Sequence, residues 1–276
     1  TGAVTLLANT TLTTTDAAVT FADAVTGSGK SLTVSAGSGA ISMSTVGVSG
    51  TSIGALTLNS TGVTTLGGAV YAASVTTNAG GSVAINTTTV TTTGAQTYND
   101  AVTLGADANL TTTSNGDVVF GSTLNGAQTL TITTNGTGDV TMSGAVGGTT
   151  ALTGLTITTD GFSATSIGLG SSAAFVMTNS GAGAITAAIT GSGATLTKSG
   201  AGTLTLSGTN TYTGGTTINA GAVAVTSTGT LGGASGNLTM TGTSTLDLQT
   251  ALSVGNLVMA SGNSITNTTG TSSLAV

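Results

Sequence analysis

The sequence repeats itself at long range. Val4-Thr5-Leu6, Leu12-Thr13-Thr14-Thr15 and Val19-Thr20-Phe21 return as Val102-Thr103-Leu104, Leu110-Thr111-Thr112-Thr113 and Val118-Val119-Phe120. The match continues with Ser31-Leu32-Thr33-Val34-Ser35 against Thr129-Leu130-Thr131-Ile132-Thr133, Ile41-Ser42-Met43 against Val140-Thr141-Met142, and Leu56-Thr57-Leu58 against Leu155-Thr156-Ile157. The offset is 98 residues between Leu12 and Leu110 and 99 between Leu56 and Leu155, so a single inserted residue separates two copies of a long unit. Such repetition marks a solenoid, in which each unit stacks on its neighbour and the array is the functional object. Residue 1 falls inside the unit, which predicts a section of a longer array.

The alphabet selects strands. Of 276 residues, 45 are Gly and about a quarter are Thr, while Pro, Cys, His, Trp, Arg and Glu are absent. Thr and Val lose rotamer freedom in a helix and Gly adds backbone entropy, whereas Thr, Val and Ile suit a pleated surface. Apolar pairs with period two recur along the chain, among them Val19/Phe21, Leu32/Val34, Ile41/Met43, Leu130/Ile132, Leu204/Leu206 and Leu246/Leu248. Each reads as a short strand with one buried face. Between them lie turn clusters such as Ala36-Gly37-Ser38-Gly39 and Asn135-Gly136-Thr137-Gly138.

An antiparallel sandwich and a parallel β-helix both use short strands and small turns. The long-range repeat selects the β-helix, because stacked coils tolerate entry at any phase. Three strands per coil predict coils of roughly 20 to 30 residues, roughly 10 to 13 coils, and a rod on the order of 50 to 60 Å at about 4.8 Å per coil. The handedness of parallel connections predicts a right-handed helix. Val, Leu and Ile are expected inside, and Thr outside, where identical neutral side chains stack on the coils above and below. Like charges repeated at about 4.8 Å would repel, and proline would remove a ladder donor. Three segments are expected within one continuous solenoid: a first repeat unit at 1–100, a second with a divergent continuation at 101–195, and a region of different pattern at 196–276.

Charge limits the partners. Eight Asp against Lys30 and Lys198 leave a net charge of −6, which argues against nucleic acid and against docking on anionic lipid. No apolar run approaches the roughly 18 residues of a membrane-spanning helix, the longest being Ala173-Ala174-Phe175-Val176-Met177. No leader with a basic start and an apolar stretch is visible.

Beyond residue 195 the pattern changes to Leu196-Thr197-Lys198-Ser199-Gly200-Ala201-Gly202-Thr203-Leu204-Thr205-Leu206-Ser207-Gly208-Thr209-Asn210-Thr211-Tyr212-Thr213-Gly214-Gly215-Thr216-Thr217-Ile218-Asn219-Ala220-Gly221. This run resembles the autotransporter-associated β-strand repeat of passenger regions in bacterial type V secretion. Residues 1–165 resemble, more loosely, the Thr/Gly-rich repeats of filamentous-haemagglutinin-like surface proteins. The resemblance implies a right-handed β-helix exported across the outer membrane of a Gram-negative bacterium, displayed or released, and used in adhesion, aggregation or the building of a biofilm matrix. Physically, Gly214 and Gly215 permit a tight corner, and Asn210 and Asn219 sit where amides satisfy turn backbone.

Candidate chemistry is sparse. Parallel β-helices include polysaccharide-degrading enzymes with clustered carboxylates, and Asp16/Asp23 and Asp100/Asp107 are each seven residues apart. Without His, Arg or Glu there is little from which to build an acid and a sugar-binding cation. The Asp residues fall in turns, as in Asn115-Gly116-Asp117, where backbone capping is the default role. No catalytic residue, cofactor site or metal site is expected; the binding residues are not assignable. A rival reading is an ice-binding face built from runs such as Thr87-Thr88-Thr89, Thr91-Thr92-Thr93 and Thr111-Thr112-Thr113. Tyr71, Tyr98 and Tyr212 are expected at corners. Unpaired strand edges at the ends of a β-helix predict self-association, end to end or lateral, into filaments. A host or cell-surface glycan or protein is the other expected partner.

Overall fold

The computed structural model describes residues 2–226, 228–269 and 272–276. Those residues form strands, turns and irregular corners without a helix, as the alphabet predicts. The strands pair in parallel with partners one turn away, which is the ladder of a β-solenoid. Two compact units divide the chain, 1–144 and 145–276, a different division from the sequence segments 1–100, 101–195 and 196–276.

In the first unit three strands make one turn and three columns run through it. The first face stacks Val4, Val25, Val46, Val70, Val90, Leu110 and Ile132. The second stacks Leu12, Val34, Leu58, Thr77, Tyr98, Phe120 and Met142. The third stacks Val19, Ile41, Thr64, Val83, Val102 and Leu124. All these side chains face inward, and from the second turn onward they are buried. Successive turns therefore hide a continuous apolar column although no single turn has a core of its own.

The second unit repeats the logic with six rungs in Leu155, Phe175, Leu196, Thr216, Leu238 and Leu257. A second column holds Phe162, Gly183, Leu204, Val223, Leu246 and Ile265. With seven rungs in the first unit, the turns of the described residues match the upper end of the expected range.

The 98-residue repeat is not a whole number of turns. Val4 lies on the first face and its counterpart Val102 on the third, fourteen strand positions later, or four turns and two strands. Leu12 lies on the second face and Leu110 on the first; Val19 lies on the third and Val118 on the second. Each segment of sequence is thus built twice on different sides of the same coil. The three faces offer equivalent environments, a narrow apolar interior with a solvated exterior, so strand sequences are interchangeable among them.

Corners follow the repeat as faithfully as strands do. Asp16 and Asn115, 99 residues apart, share a left-handed backbone with φ of 59° and 52°. Asp16 Oδ1 accepts the N–H of Ser38 at 2.8 Å, and Asn115 Oδ1 accepts that of Thr137 at 3.1 Å, each one turn on. The residue above each is a glycine, Gly37 or Gly136, with φ of 58° and 63°. A Cβ on either would collide with the Oδ1 below, so both the dihedral and the close approach demand glycine. Asn9 and Asp107 form a second such pair, accepting the N–H of Ser31 at 3.0 Å and of Thr129 at 2.7 Å.

Tyr98 and Tyr71 depart from the expected corner positions. Tyr98 lies at an inward position of the strand Gln96–Tyr98, fully buried, its ring stacked 5.3 Å from Phe120 at 18°. Its hydroxyl donates to Gln96 Oε1 at 3.0 Å, and Gln96 Nε2 donates to Val90 O at 3.1 Å and Thr111 O at 3.0 Å. The ring fills the lumen between Thr77 on one side and the Phe120 ring on the other. Tyr71 points outward from the first face.

Thr64 and Asn179 are inward positions that each carry an uncompensated polar atom. Thr64 stands between Ile41 and Val83 with no exposure, and its Oγ1 has no hydrogen-bond partner. Val has the same shape without the hydroxyl. Thr64→Val is expected to raise the unfolding free energy by about 1–2 kcal/mol, read from the urea midpoint, because the desolvation cost of the hydroxyl disappears.

Candidate functional site

The outward residues form columns in the same register. On the second face of the first unit, Thr11, Thr33, Thr57, Thr76, Thr97, Val119 and Thr141 stand above one another. Six of seven consecutive rungs thus present threonine, and from Thr33 on each column member is half-buried by its neighbours. The first face carries Thr91, Thr111 and Thr133 in one file and Thr89, Asn109 and Thr131 beside it. In the second unit the corresponding file is Thr156, Val176, Thr197, Thr217, Thr239 and Val258. These flat, neutral columns are the candidate functional surface. Single sequence runs such as Thr91-Thr92-Thr93 do not reveal them, because Thr92 points inward and is buried.

The carboxylate pairs suggested by the sequence do not come together. Asp16 lies at the corner between strands Thr10–Thr13 and Val19–Phe21, whereas Asp23 lies at the next corner, after Phe21. Asp100 and Asp107 likewise flank the strand Ala101–Leu104 at opposite ends. Asp16, Asp107, Asp117 and Asp247 each accept a backbone N–H one turn away, from Ser38, Thr129, Asp139 and Thr268. Asp160 instead accepts the hydroxyl of Ser180 at 2.6 Å. The Ser38 N–H holds the Asp16 carboxyl below the usual range, and the Gln249 amide does the same for Asp247.

Asp100 differs. It is 2 % exposed; Oδ1 accepts the Gly81 N–H at 2.7 Å, and Oδ2 is buried without a partner of acceptable geometry. Burial pushes its pKa above the usual carboxylate range against the opposing pull of Gly81 N–H and the Thr77 hydroxyl.

The 196–225 region departs from the apolar-in rule. Its strand Thr195–Ser199 places Lys198 inward, fully buried between Met177 and Ile218. The ammonium donates to Ser199 O at 2.7 Å, Gly200 O at 2.9 Å and Ala220 O at 3.4 Å, one carbonyl for each proton. Burial lowers its pKa to about 8. The charge is thereby spent on tying one corner to the next turn. Alternation within Leu196-Thr197-Lys198 is the sequence signal that puts Lys198 on the side of Leu196; nothing in the sequence signals the carbonyl cage.

Asn210 ties three turns together, as its corner position predicts. Its Oδ1 accepts the Ile189 N–H at 2.7 Å and its Nδ2 donates to Thr230 O at 2.6 Å. Asn219 bonds outside the lumen, to Ser199 Oγ at 3.2 Å and Thr241 Oγ1 at 2.8 Å. Tyr212 is buried in a stretch without strand, and its hydroxyl lies 2.6 Å from Thr216 Oγ1. Gly215, with φ of 97°, turns the chain into the strand Thr216–Val225.

A pH experiment isolates Asp100. A carboxyl whose folded pKa is raised contributes stability below its unfolded value of 3.8 and loses it as pH rises through the folded value. Asp100→Asn is therefore expected to be more stable than the native chain at neutral pH, with the difference in thermal midpoint closing as the pH falls through the folded value toward 3.8.

The model of the passenger-associated transport repeat family matches residues 196–225, the segment that holds Lys198, Asn210, Tyr212 and Gly215. No curated protein and no solved structure matches the chain. The parallel solenoid and the matched repeat together fit an autotransporter passenger β-helix.

Proposed function

We propose that the protein is a structural β-helical component of a large bacterial adhesin or extracellular matrix fibre, displayed on or released from the outer surface of a Gram-negative cell. Its work is adhesion, aggregation or filament formation through repeated contacts along its faces. The observation that carries this reading is the in-register threonine column Thr11, Thr33, Thr57, Thr76, Thr97 and Thr141. A neutral, hydroxyl-bearing, flat column repels neither its own copy nor a glycan chain, and weak contacts repeated at every rung add up. The matched transport repeat supports export. A non-enzymatic role is supported by the use of Asp16, Asp107, Asp117 and Asp247 as backbone acceptors.

Self-association is the expected first contact. In sedimentation velocity, the average mass of the native chain should rise with concentration. The triple variant T11K/T57K/T97K, whose lysines stand two rungs apart, should remain monomeric with an unchanged circular dichroism spectrum, because ammonium groups along the second face repel those of a second copy. A concentration-independent monomer for the native chain, or equal association by the variant, would refute lateral assembly through this face.

Ordering of water at an ice surface is a second reading, favoured by the two-file patch of Thr91, Thr111 and Thr133 beside Thr89, Asn109 and Thr131. Thermal hysteresis that disappears in T91K/T111K would select it over adhesion.

A further inference from the structure

Three Asn-Gly pairs occur in the chain: Asn115-Gly116, Asn125-Gly126 and Asn135-Gly136. Asparagine followed by glycine is chemically exposed, because no Cβ shields the next backbone nitrogen from the carboxamide carbon. The fold treats the three pairs differently. Asn115 has its Oδ1 engaged by the Thr137 N–H at 3.1 Å, and Gly116 is buried against the backbone of Gly94. Asn125 ends the strand Leu124–Asn125, in register with Thr103, and Gly126 packs on the backbone of Leu104. In neither pair are both residues exposed, since Gly116 is buried and Asn125 half-buried.

Asn135 and Gly136 are both exposed at a corner. The Gly136 N–H donates to Asn135 Oδ1 at 2.8 Å, so the carboxamide is folded over the nitrogen that follows it. Asn135 Nδ2 donates to Thr113 O at 3.1 Å, which holds the group in that pose from the turn below. Near-attack geometry needs the Gly136 nitrogen about 3–3.5 Å from Asn135 Cγ, and the hydrogen bond from Gly136 N–H places the carboxamide beside that nitrogen.

We propose that Asn135-Gly136 is a self-modifying corner that passes through a succinimide. Solvent base removes the proton of Gly136 N, the nitrogen attacks Asn135 Cγ, a C–N bond forms, and the Cγ–Nδ2 bond breaks. Nδ2 leaves as ammonia, taking a proton from water. Water then adds to one of the two ring carbonyls and opens the ring, giving aspartate or isoaspartate at position 135; no electrons are exchanged. The product has lost the donor to Thr113 O and gained a negative charge. The isoaspartate form also adds a methylene to the backbone of the corner. The chemistry is independent of the adhesive reading.

The test follows the folded 276-residue protein over weeks at mildly alkaline pH and body temperature, alongside a sample kept in guanidinium. An endoproteinase that cuts before Asp releases Asp107–Gly116 and Asp117–Gly138, which between them carry all three pairs. Fragmentation then locates the replacement of an amide by an acid. In the folded protein Asn135 should convert several-fold faster than Asn115 and Asn125, and in guanidinium the three rates should converge. A new cut before position 135 reports aspartate, and an uncut peptide of altered mass reports isoaspartate; either supports the proposal. Asn135→Gln, which would need a larger ring, should abolish conversion at that site and leave circular dichroism unchanged. The proposal is overturned if Asn115 or Asn125 leads in the folded protein, if the rates rank identically in both samples, or if Asn135 stays intact while the unfolded chain converts.

Discussion

The interaction on which the rest depends is the parallel backbone ladder between turns. Each strand bonds to a strand some twenty residues before it and another some twenty after, as Val90 does to Val70 and Leu110. Strand amides and carbonyls then find backbone partners one turn away, and side chains such as Asn210 take up what the corners leave over. The side chains inherit the register: what stands at one rung stands over its counterpart at the next. Bulky, charged or proline residues are penalised at every repeat of that geometry, and the alphabet of the chain is the consequence. Where a rung carries Tyr98, the next carries Phe120 to stack on it.

Because three strands close one turn, the faces are near-equivalent, and the chain uses that freedom. The long repeat advances by four turns and two strands, so Val4 and Val102 occupy different faces while the corners at Asp16 and Asn115 keep the same conformation and the same bond to the turn above. The corner device is local. It needs one acceptor side chain in the left-handed region and one glycine a turn later, and it works at any junction of faces. The corner device sets no face apart; the strands do, by placing the threonine column on the second face.

Around residues 196–225 the chain trades apolar packing for polar ties. Lys198 fills an inward rung and spends its three protons on carbonyls of its own and the next turn, and Asn210 bridges the turns on either side. A buried charge held only by carbonyls is costly unless every proton finds an acceptor. Its presence within the matched transport repeat shows that this stretch is specified by hydrogen bonds as well as by side-chain volume.

Strand alternation, Gly/Asn corners and the long-range offset sufficed to read an all-β parallel solenoid with Thr outside, since each is a local signal that the ladder repeats. The roles of Asn210 and the carboxylates as backbone acceptors were legible for the same reason. Which residues meet across turns was not. The threonine column from Thr11 to Thr141, the burial of Tyr98 and Asp100, the pairing of Gly37 with Asp16 and the different fates of three identical Asn-Gly pairs depend on the number of residues in each turn. That number shifts slightly from coil to coil with the length of every corner. The sequence by itself determined the kind of coil and its alphabet, because period-two patterning and turn chemistry act within a few residues. Only the tertiary structure decided the register, because a ladder partner is chosen by the closure of a whole turn.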